Sequence, residues 1–225
     1  MPHVNSLKAR IDHEGLWPAI RAALGTLLPT HFEVWQLLCA NISGLNSNVS
    51  GTTILAGPPA VESLKRSREA VSGLPVEFYR DEVDNIQSCF FACAGGRPAA
   101  IAWAYDHTKP AHFLRMSPGD AEIRSVYSLP EFRGRGLAKT VIVAACESLT
   151  RGGYRRIYAV IHFRNEASQR AFRSVGFSRV AELNRPPIFG PRYVTETGRT
   201  ESCLDALGRK VRFRRFRAAT PPDQQ

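Results

Sequence analysis

The residues best suited to chemistry lie in one stretch, Pro130 to Thr140, where a glycine-rich turn follows a predicted strand and opens into a predicted helix. The backbone N–H groups of residues 134–139 have no partners inside such a helix and lie at the positive end of its dipole. Two glycines let a ligand approach the backbone and three basic residues add positive charge; they are Gly134, Gly136, Arg133, Arg135 and Lys139. The stretch therefore predicts a pyrophosphate-binding loop.

The loop belongs to neither of two common nucleotide-binding types. No Gly-Lys-Ser/Thr follows it, as a Walker loop requires, and Lys139 stands where the dinucleotide-binding pattern has its third glycine. The run Arg133 to Ala138 instead resembles the [R/Q]-x-x-G-x-[G/A] acetyl-CoA motif of the GNAT superfamily of N-acetyltransferases, and Pro-Glu-Phe before it resembles the P-E-Y that often leads into that motif. A second run, Asn165 to Phe177, is similar to the N-x-x-(A/S)…G-F helix of that superfamily. The resemblance covers about residues 85–185.

The resemblance implies a set of contacts to acetyl-CoA. The backbone amides of Ser128 and Leu129 are expected to face the thioester carbonyl and the pantetheine, and Asn165 the pantetheine or the adenine side of the cofactor. The pyrophosphate is expected on the amides of residues 134–139, which include Leu137 and Ala138. Two plainer interpretations stay open: Asn165 as a simple helix N-cap, and Arg133 with Arg135 as solvated charges.

Acetyl transfer to an amine needs a base, a polarised carbonyl and a proton for the leaving thiolate. Glu122 lies 11 residues before Arg133, the spacing of the glutamate base in those GNAT members that have one. The resemblance therefore implies that Glu122 removes the ammonium proton directly or through a water. The alternative is an exposed carboxylate at the start of a strand.

The residue at the usual position of the general acid departs from the pattern of the superfamily. Phe172 occupies the position where many members carry a tyrosine, and phenylalanine donates no proton. Tyr127, Tyr158 and His162 are the substitutes by position near the ends of the parallel strands. His162 is favoured because it closes the second strand of the β-α-β unit, where ligands bind in such sheets.

The elements that position these residues follow from periodicity and breakers. A β-α-β unit spans Glu122 to His162, with a strand over 122–129, a helix over 136–151 and a strand over 154–162. Its two strands are expected to be parallel. The other expected elements are helices at 14–28, 60–71 and 165–175, a strand or helix at 32–40, a loop at 41–51, a short strand at 111–116, and strands at 88–94, 98–105, 177–183 and 210–217.

Composition narrows the class of protein. The chain has 225 residues, 44% of them apolar, and a net charge of +10. Residues 1–120 carry 10 Lys and Arg against 11 Asp and Glu, whereas residues 121–225 carry 20 against 9. This basic second half indicates an anionic partner. No apolar run is long enough for a membrane span or a secretory signal, and the five cysteines show no C-x-x-C spacing. A reduced, cytoplasmic protein without a metal is expected.

Together these features predict a mixed α/β protein of the GNAT type, with a twisted sheet opened between strands 122–129 and 154–162 and helices on both faces. Residues 1–75 are expected to form a helical extension that includes the start of the fold and a substrate lid, 76–217 the acetyltransferase core, and 218–225 a frayed tail. The expected activity is transfer of acetyl from acetyl-CoA to a primary amine of a small acceptor, by direct attack in a ternary complex. The chain is compatible with a homodimer. A CoA sensor without turnover and, more weakly, a nucleic-acid binder are the alternatives.

Overall fold

The structure, a computed structural model, describes residues 30–41, 49–109, 113–114, 116–185, 192–195, 203–204, 210–211 and 214–215. The expected helix at 14–28 and the tail lie outside the described residues, as does most of the loop at 41–51 and part of the short strand at 111–116. None of the described helices is long and apolar enough to cross a membrane.

Eleven strands are described, nine of them in one mixed sheet. They are β1 (Thr30–Leu38), β2 (Thr52–Ala56), β3 (Cys89–Ala94), β4 (Arg97–Asp106), β5 (Asp120–Ser128), β6 (Arg156–His162), β7 (Ser178–Arg185), β8 (Arg192–Thr195), β9 (Cys203–Leu204), β10 (Lys210–Val211) and β11 (Arg214–Arg215). The order in the large sheet is β2-β3-β4-β5-β6-β1-β7-β8-β11, and β9 pairs with β10 separately. The expected single strand at 210–217 is therefore wrong: its two described pieces pair with different partners.

Four helices are described: α1 (Pro58–Ala70), α2 (Arg80–Asp84), α3 (Leu137–Arg151) and α4 (Glu166–Arg173). A 3-10 turn over Val76–Tyr79 leads into α2, and another over Pro130–Phe132 precedes the glycine-rich loop. Helix α1 has prolines in its first turn, where the missing N–H costs nothing.

The helices cover both faces of the sheet. In-register pairing puts Tyr105 of β4, Glu122 of β5 and Tyr158 of β6 on one side, which we call the Glu122 face. The 3-10 turn before α2 lies on this side, because Trp103 Nε1 donates to the Glu77 carbonyl at 2.8 Å. Helix α4 lies on the other side, where the Arg173 guanidinium stands 5.3 Å from the Trp35 ring, and α3 packs beside α4.

The core fills the two layers between sheet and helices. Strand β3 is buried on both faces from Cys89 to Ala92, so its sequence is continuously apolar rather than alternating. Strand β4 brings four alanines among its buried residues, and their small side chains let α3 lie close to the sheet. Phe78, Phe91 and Trp103 are fully buried on the Glu122 face.

Candidate functional site

The glycine-rich loop forms an open turn at the start of α3. Gly134 and Gly136 both have φ of +77°, a left-handed conformation that L side chains rarely adopt. A Cβ atom at either position would meet no atom of the described residues within 4 Å, so these residues leave the space above the loop open. Glycine at these two positions thus allows the left-handed backbone of the turn and leaves room for a ligand.

The start of α3 presents free donors to that space. The first described helical bond runs from the Thr140 N–H to the Gly136 carbonyl at 3.1 Å. Within the described part of the chain, the amides of residues 134–139 donate to no backbone carbonyl outside the helix. Leu137 is buried against the core and anchors the turn. An anion fits here because these N–H groups and the helix dipole converge on it.

The basic side chains around the loop differ in exposure and contacts, and those of Arg133 and Arg135 are exposed. Arg133 folds back, with Nε donating to the Ser128 carbonyl at 3.3 Å and Nη2 to the Tyr127 hydroxyl at 3.2 Å. Arg135 lies 5.3 Å from the Phe132 ring. Lys139 is half-buried on the first turn of α3. All three can add charge to the loop, and Arg133 also touches the end of β5.

The parallel strands β5 and β6 separate beside this loop. They pair only from Asp120 to Glu122 with Arg156 to Tyr158, and the pairing stops there although both strands continue. Strand β5 is irregular just beyond, where Ser125 has φ of +51° and the register with β4 shifts. A bulge of this kind increases twist and turns a strand away from its neighbour. The expected opening between the two strands is present.

One expected donor in this opening is already used. The Leu129 amide donates to the Ala99 carbonyl at 2.9 Å, so it does not face a thioester. Ser128 lies opposite Ala100, one position along from that bonded pair. Because bonded and non-bonded pairs alternate in an antiparallel ladder, the Ser128 N–H and C=O point away from β4 and into the opening. The Ser128 hydroxyl is buried and has no hydrogen-bond partner among the described residues.

Glu122 lies where β5 and β6 begin to separate. It is about 1% exposed, so the alternative of an exposed strand-entry carboxylate is wrong. Its Oε2 accepts from Arg124 Nη2 at 2.6 Å, and this buried ion pair compensates the charge of the carboxylate.

His162 lies at the far end of the same opening. Tyr158, the partner of Glu122, precedes His162 by four residues, about 13 Å along a strand. Four residues beyond Glu122 along β5 is Val126, so His162 lies at the level of Val126 and Tyr127. Its Nδ1 accepts from the Arg164 N–H at 3.2 Å, which leaves Nε2 as the protonated nitrogen of the neutral ring. Glu122 and His162 are therefore too far apart in the structure to contact the same substrate atom.

The second motif forms α4 and its cap. The Asn165 side chain accepts from the Ser168 N–H at 3.1 Å, so Asn165 is an N-cap in this structure. Its role toward a cofactor stays a prediction. Phe172 is buried edge-to-face on Phe177 with ring centroids 4.9 Å apart, which is a core contact. Tyr158 is also buried, and its hydroxyl accepts from Gln36 Nε2 at 3.0 Å.

Sequence reasoning missed the partners of Glu122. The Arg124 guanidinium lies 4.3 Å from the Tyr105 ring, and the Tyr105 hydroxyl donates to Asp84 Oδ2 at 2.7 Å. Burial and the contact with Asp84 raise the pKa of Tyr105 above its usual range, so it stays a donor. The i, i+2 spacing of Glu122 and Arg124 in a strand puts both side chains on one face and could have shown the pair.

A family model decides the assignment. Residues 59–177 match the model of the acetyltransferase (GNAT) family. The chain belongs to this family. The fold is thus that of the GNAT family, and the match begins inside α1, within the segment expected as an extension. The boundary at residue 75 stays a prediction, although β1, β2 and α1 all precede it.

Solved structures are similar to this chain at low sequence identity. A Drosophila protein is 14% identical with a TM-score of 0.51, over 70% of this chain and 50% of that one. A putative GNAT acetyltransferase from Novosphingobium aromaticivorans is 21% identical with a TM-score of 0.46, over 70% and 63%. An aminoglycoside N-acetyltransferase in complex with CoA is 24% identical with a TM-score of 0.44, over 60% and 93%. The chain spans less than two thirds of the first two proteins. No curated protein matches it.

Proposed function

We propose that this GNAT protein transfers acetyl from acetyl-CoA to a primary amine of a small acceptor, by direct attack in a ternary complex. The observation that carries the proposal is the separation of β5 and β6 beyond Glu122, directly beside a loop of free amides at the start of α3. A phosphate-bearing cofactor on the loop can extend its arm into that opening. Family membership supports the same activity.

Acetyl-CoA binding is proposed through the backbone first. The amides of residues 134–139 would hold the pyrophosphate, while Arg135 and Lys139 would add charge. The Ser128 N–H and C=O would pair with the pantetheine arm as a neighbouring strand does. Arg133 now bonds the Ser128 carbonyl, so its side chain has to leave that oxygen when the arm enters.

The chemical step is proposed as addition of the amine nitrogen to the thioester carbonyl carbon. The C–N bond forms, the C–S bond breaks and the sulfur leaves as a thiolate that takes up a proton. Backbone N–H groups of β5 that point into the opening would stabilise the negative oxygen. Glu122 would accept the ammonium proton through water, because about 13 Å separate its level from that of His162.

His162 is the proposed proton donor to the thiolate. It lies across the opening from Val126 and Tyr127, and its Nε2 carries the proton in the neutral ring. Phe172 supplies no proton, and Tyr158 lies opposite Glu122, where β5 and β6 are still paired, four residues before His162. His162 therefore fits the role better than either aromatic residue.

The test is release of free CoA thiol from acetyl-CoA with a panel of primary amines, followed by mass spectrometry of the acceptor. Thiol release that depends on the amine, with a mass gain of one acetyl group, is the expected result. Binding of acetyl-CoA without turnover of any amine would favour the sensor. Salt-dependent binding of DNA or RNA without binding of CoA would favour the nucleic-acid alternative.

A further inference from the structure

A second group of charged residues lies on the Glu122 face beside the opening. We call it the Arg80–Arg124 cluster; it consists of Arg80, Asp84, Tyr105, Glu122 and Arg124. Arg124 binds Glu122 at 2.6 Å, and Arg80 Nη1 reaches Asp84 Oδ2 at 3.4 Å. Tyr105 joins the two pairs, since its hydroxyl donates to Asp84 and its ring lies under the Arg124 guanidinium. Helix α2 and strands β4 and β5 all contribute.

The cluster holds more hydrogen-bond donors than acceptors. A guanidinium has five N–H donors in a fixed fork. Among the described residues, Arg124 donates only to Glu122 and Arg80 only to Asp84. The Nε atoms of both arginines are buried and have no hydrogen-bond partner in the part of the chain that the structure describes. The two side chains are only 14% and 16% exposed, so water satisfies few of the remaining donors.

Unsatisfied buried donors of this kind are costly and call for an acceptor. The two arginines contact one carboxylate oxygen each, although a guanidinium can bind a carboxylate or phosphate through two parallel bonds. An anionic group at the exposed edges of the two guanidinium ions would supply acceptors for N–H groups that lack one among the described residues. Glu122, within the same cluster, is the proposed base for the amine, so an amine and an anionic group on one molecule could both be bound.

We infer that the acceptor is an amine that also carries an anionic group, bound through Arg124 and Arg80. The inference rests on the proposed acetyltransferase activity and names the substrate class of that same site. A carboxylate and a phosphate share the required chemistry. Loss of one hydrogen bond to a charged group lowers affinity by about 10- to 100-fold, which is the expected preference over an acceptor without the anion.

The experiment compares acceptors that differ only in the anionic group. Thiol release from acetyl-CoA is measured with lysine against cadaverine, tyrosine against tyramine, and glucosamine 6-phosphate against glucosamine. The anionic member of at least one pair should have a kcat/KM about 10- to 100-fold higher than its neutral partner. A preference within either of the first two pairs would identify the anionic group as a carboxylate, and a preference within the third would identify it as a phosphate.

Variants of the cluster link the preference to the arginines. Arg124→Lys keeps the positive charge beside Glu122 but removes the guanidinium fork, so it should reduce the preference with little change in folding. Arg80→Lys should reduce it independently. Arg151→Lys, at the exposed end of α3, is the matched control and should leave the preference unchanged.

Equal or better use of the neutral member of every pair would overturn the inference and leave the acetyltransferase proposal standing. A preference that survives both lysine variants would also overturn it. Absence of thiol release with every amine, together with absence of acetyl-CoA binding, would instead refute the proposed function itself. The two failures are therefore distinguishable.

Discussion

Arg156 of β6 binds the Asp120 carboxylate of β5 through both ends of its guanidinium, with Nε to Oδ1 at 2.7 Å and Nη2 to Oδ2 at 2.8 Å. Asp120 is buried, and the pair lies at the start of the only stretch in which these two strands are hydrogen-bonded. The fork thus holds together the closed end of an opening whose other end is free. The ion pair at the N-terminal ends of β5 and β6 thus supports a site at their C-terminal ends.

Replacing Asp120 by asparagine should therefore lower the free energy of unfolding by about 1–3 kcal/mol, because the Arg156 guanidinium loses its buried, charged partner. The measurement is urea denaturation at neutral pH. Glu166→Gln is the control, since it removes an exposed pair with Arg170 that contributes little. Equal midpoints for the two variants would contradict the structural role of the fork.

Glu122→Gln should reduce kcat/KM with any accepted amine by about 100- to 10,000-fold, the usual contribution of a general base. Binding of acetyl-CoA should persist, because Glu122 lies away from the loop. Amine-dependent thiol release at saturating acetyl-CoA measures the rate. Glu62→Gln on the exposed face of α1 is the matched control, and similar rates for the two variants would exclude Glu122 as the base.

His162→Gln should lower kcat by about 100-fold or more while the KM for acetyl-CoA changes little, because only the proton for the thiolate is lost. Steady-state kinetics with a saturating amine separates the two constants. The exposed His107 provides a control as His107→Gln. An unchanged kcat in His162→Gln would mean that solvent or another group protonates the sulfur.

Alkaline stability should depend on Tyr154. Burial, together with the hydrogen bond that its hydroxyl donates to Asp106 at 2.9 Å, raises the pKa of Tyr154 to about 12. The pKa of Tyr154 in the folded protein is above the unfolded value of about 10. The stabilisation that the protonated hydroxyl gives the folded protein is therefore complete below about pH 10 and is lost as the pH rises toward about 12. Urea midpoints of wild type and Tyr154→Phe should converge as the pH rises from about 10 to about 12. A constant difference over that range would contradict the prediction.

The sequence was most informative where a local pattern decides the structure. The strands at 88–94 and 98–105 flank Gly95-Gly96 and form the hairpin of β3 and β4. The β-α-β unit has its expected parallel strands and helix, since glycines and Pro130 mark its boundaries. The glycine-rich loop was recognisable because positive φ and close approach both require glycine there.

The segment at 32–40 shows the limit of local patterns. It could be a strand or a helix by sequence, and it forms β1, which lies between β6 and β7 and is antiparallel to both. Val34, Trp35 and Leu37 are buried on opposite faces of the sheet, so the run has no helical or alternating signature. Only pairing with strands more than 100 residues later selects its structure. The edge strand β2 and the short helix α2 were not predicted.

The candidate site was also only partly accessible from the sequence. Resemblance gave the loop and Glu122, but the burial of that glutamate and its pairing with Arg124 depend on the sheet. The use of the Leu129 amide by Ala99 depends on the register between β4 and β5, which a bulge shifts. The Arg80 contribution comes from α2, about 40 residues before Glu122, and no spacing rule connects the two.

The central claim is that acetyl-CoA binds on the loop at the start of α3. The most direct measurement is thermal unfolding with and without excess acetyl-CoA, for the wild type, Arg135→Glu and the control Arg151→Glu at the opposite end of that helix. At an acetyl-CoA concentration of about 100 times Kd, the Tm of the wild type and of the control should rise by roughly 5 °C or more. Arg135→Glu should lose most of that shift. An unchanged Tm in the wild type, or an equal shift in all three proteins, would contradict the account.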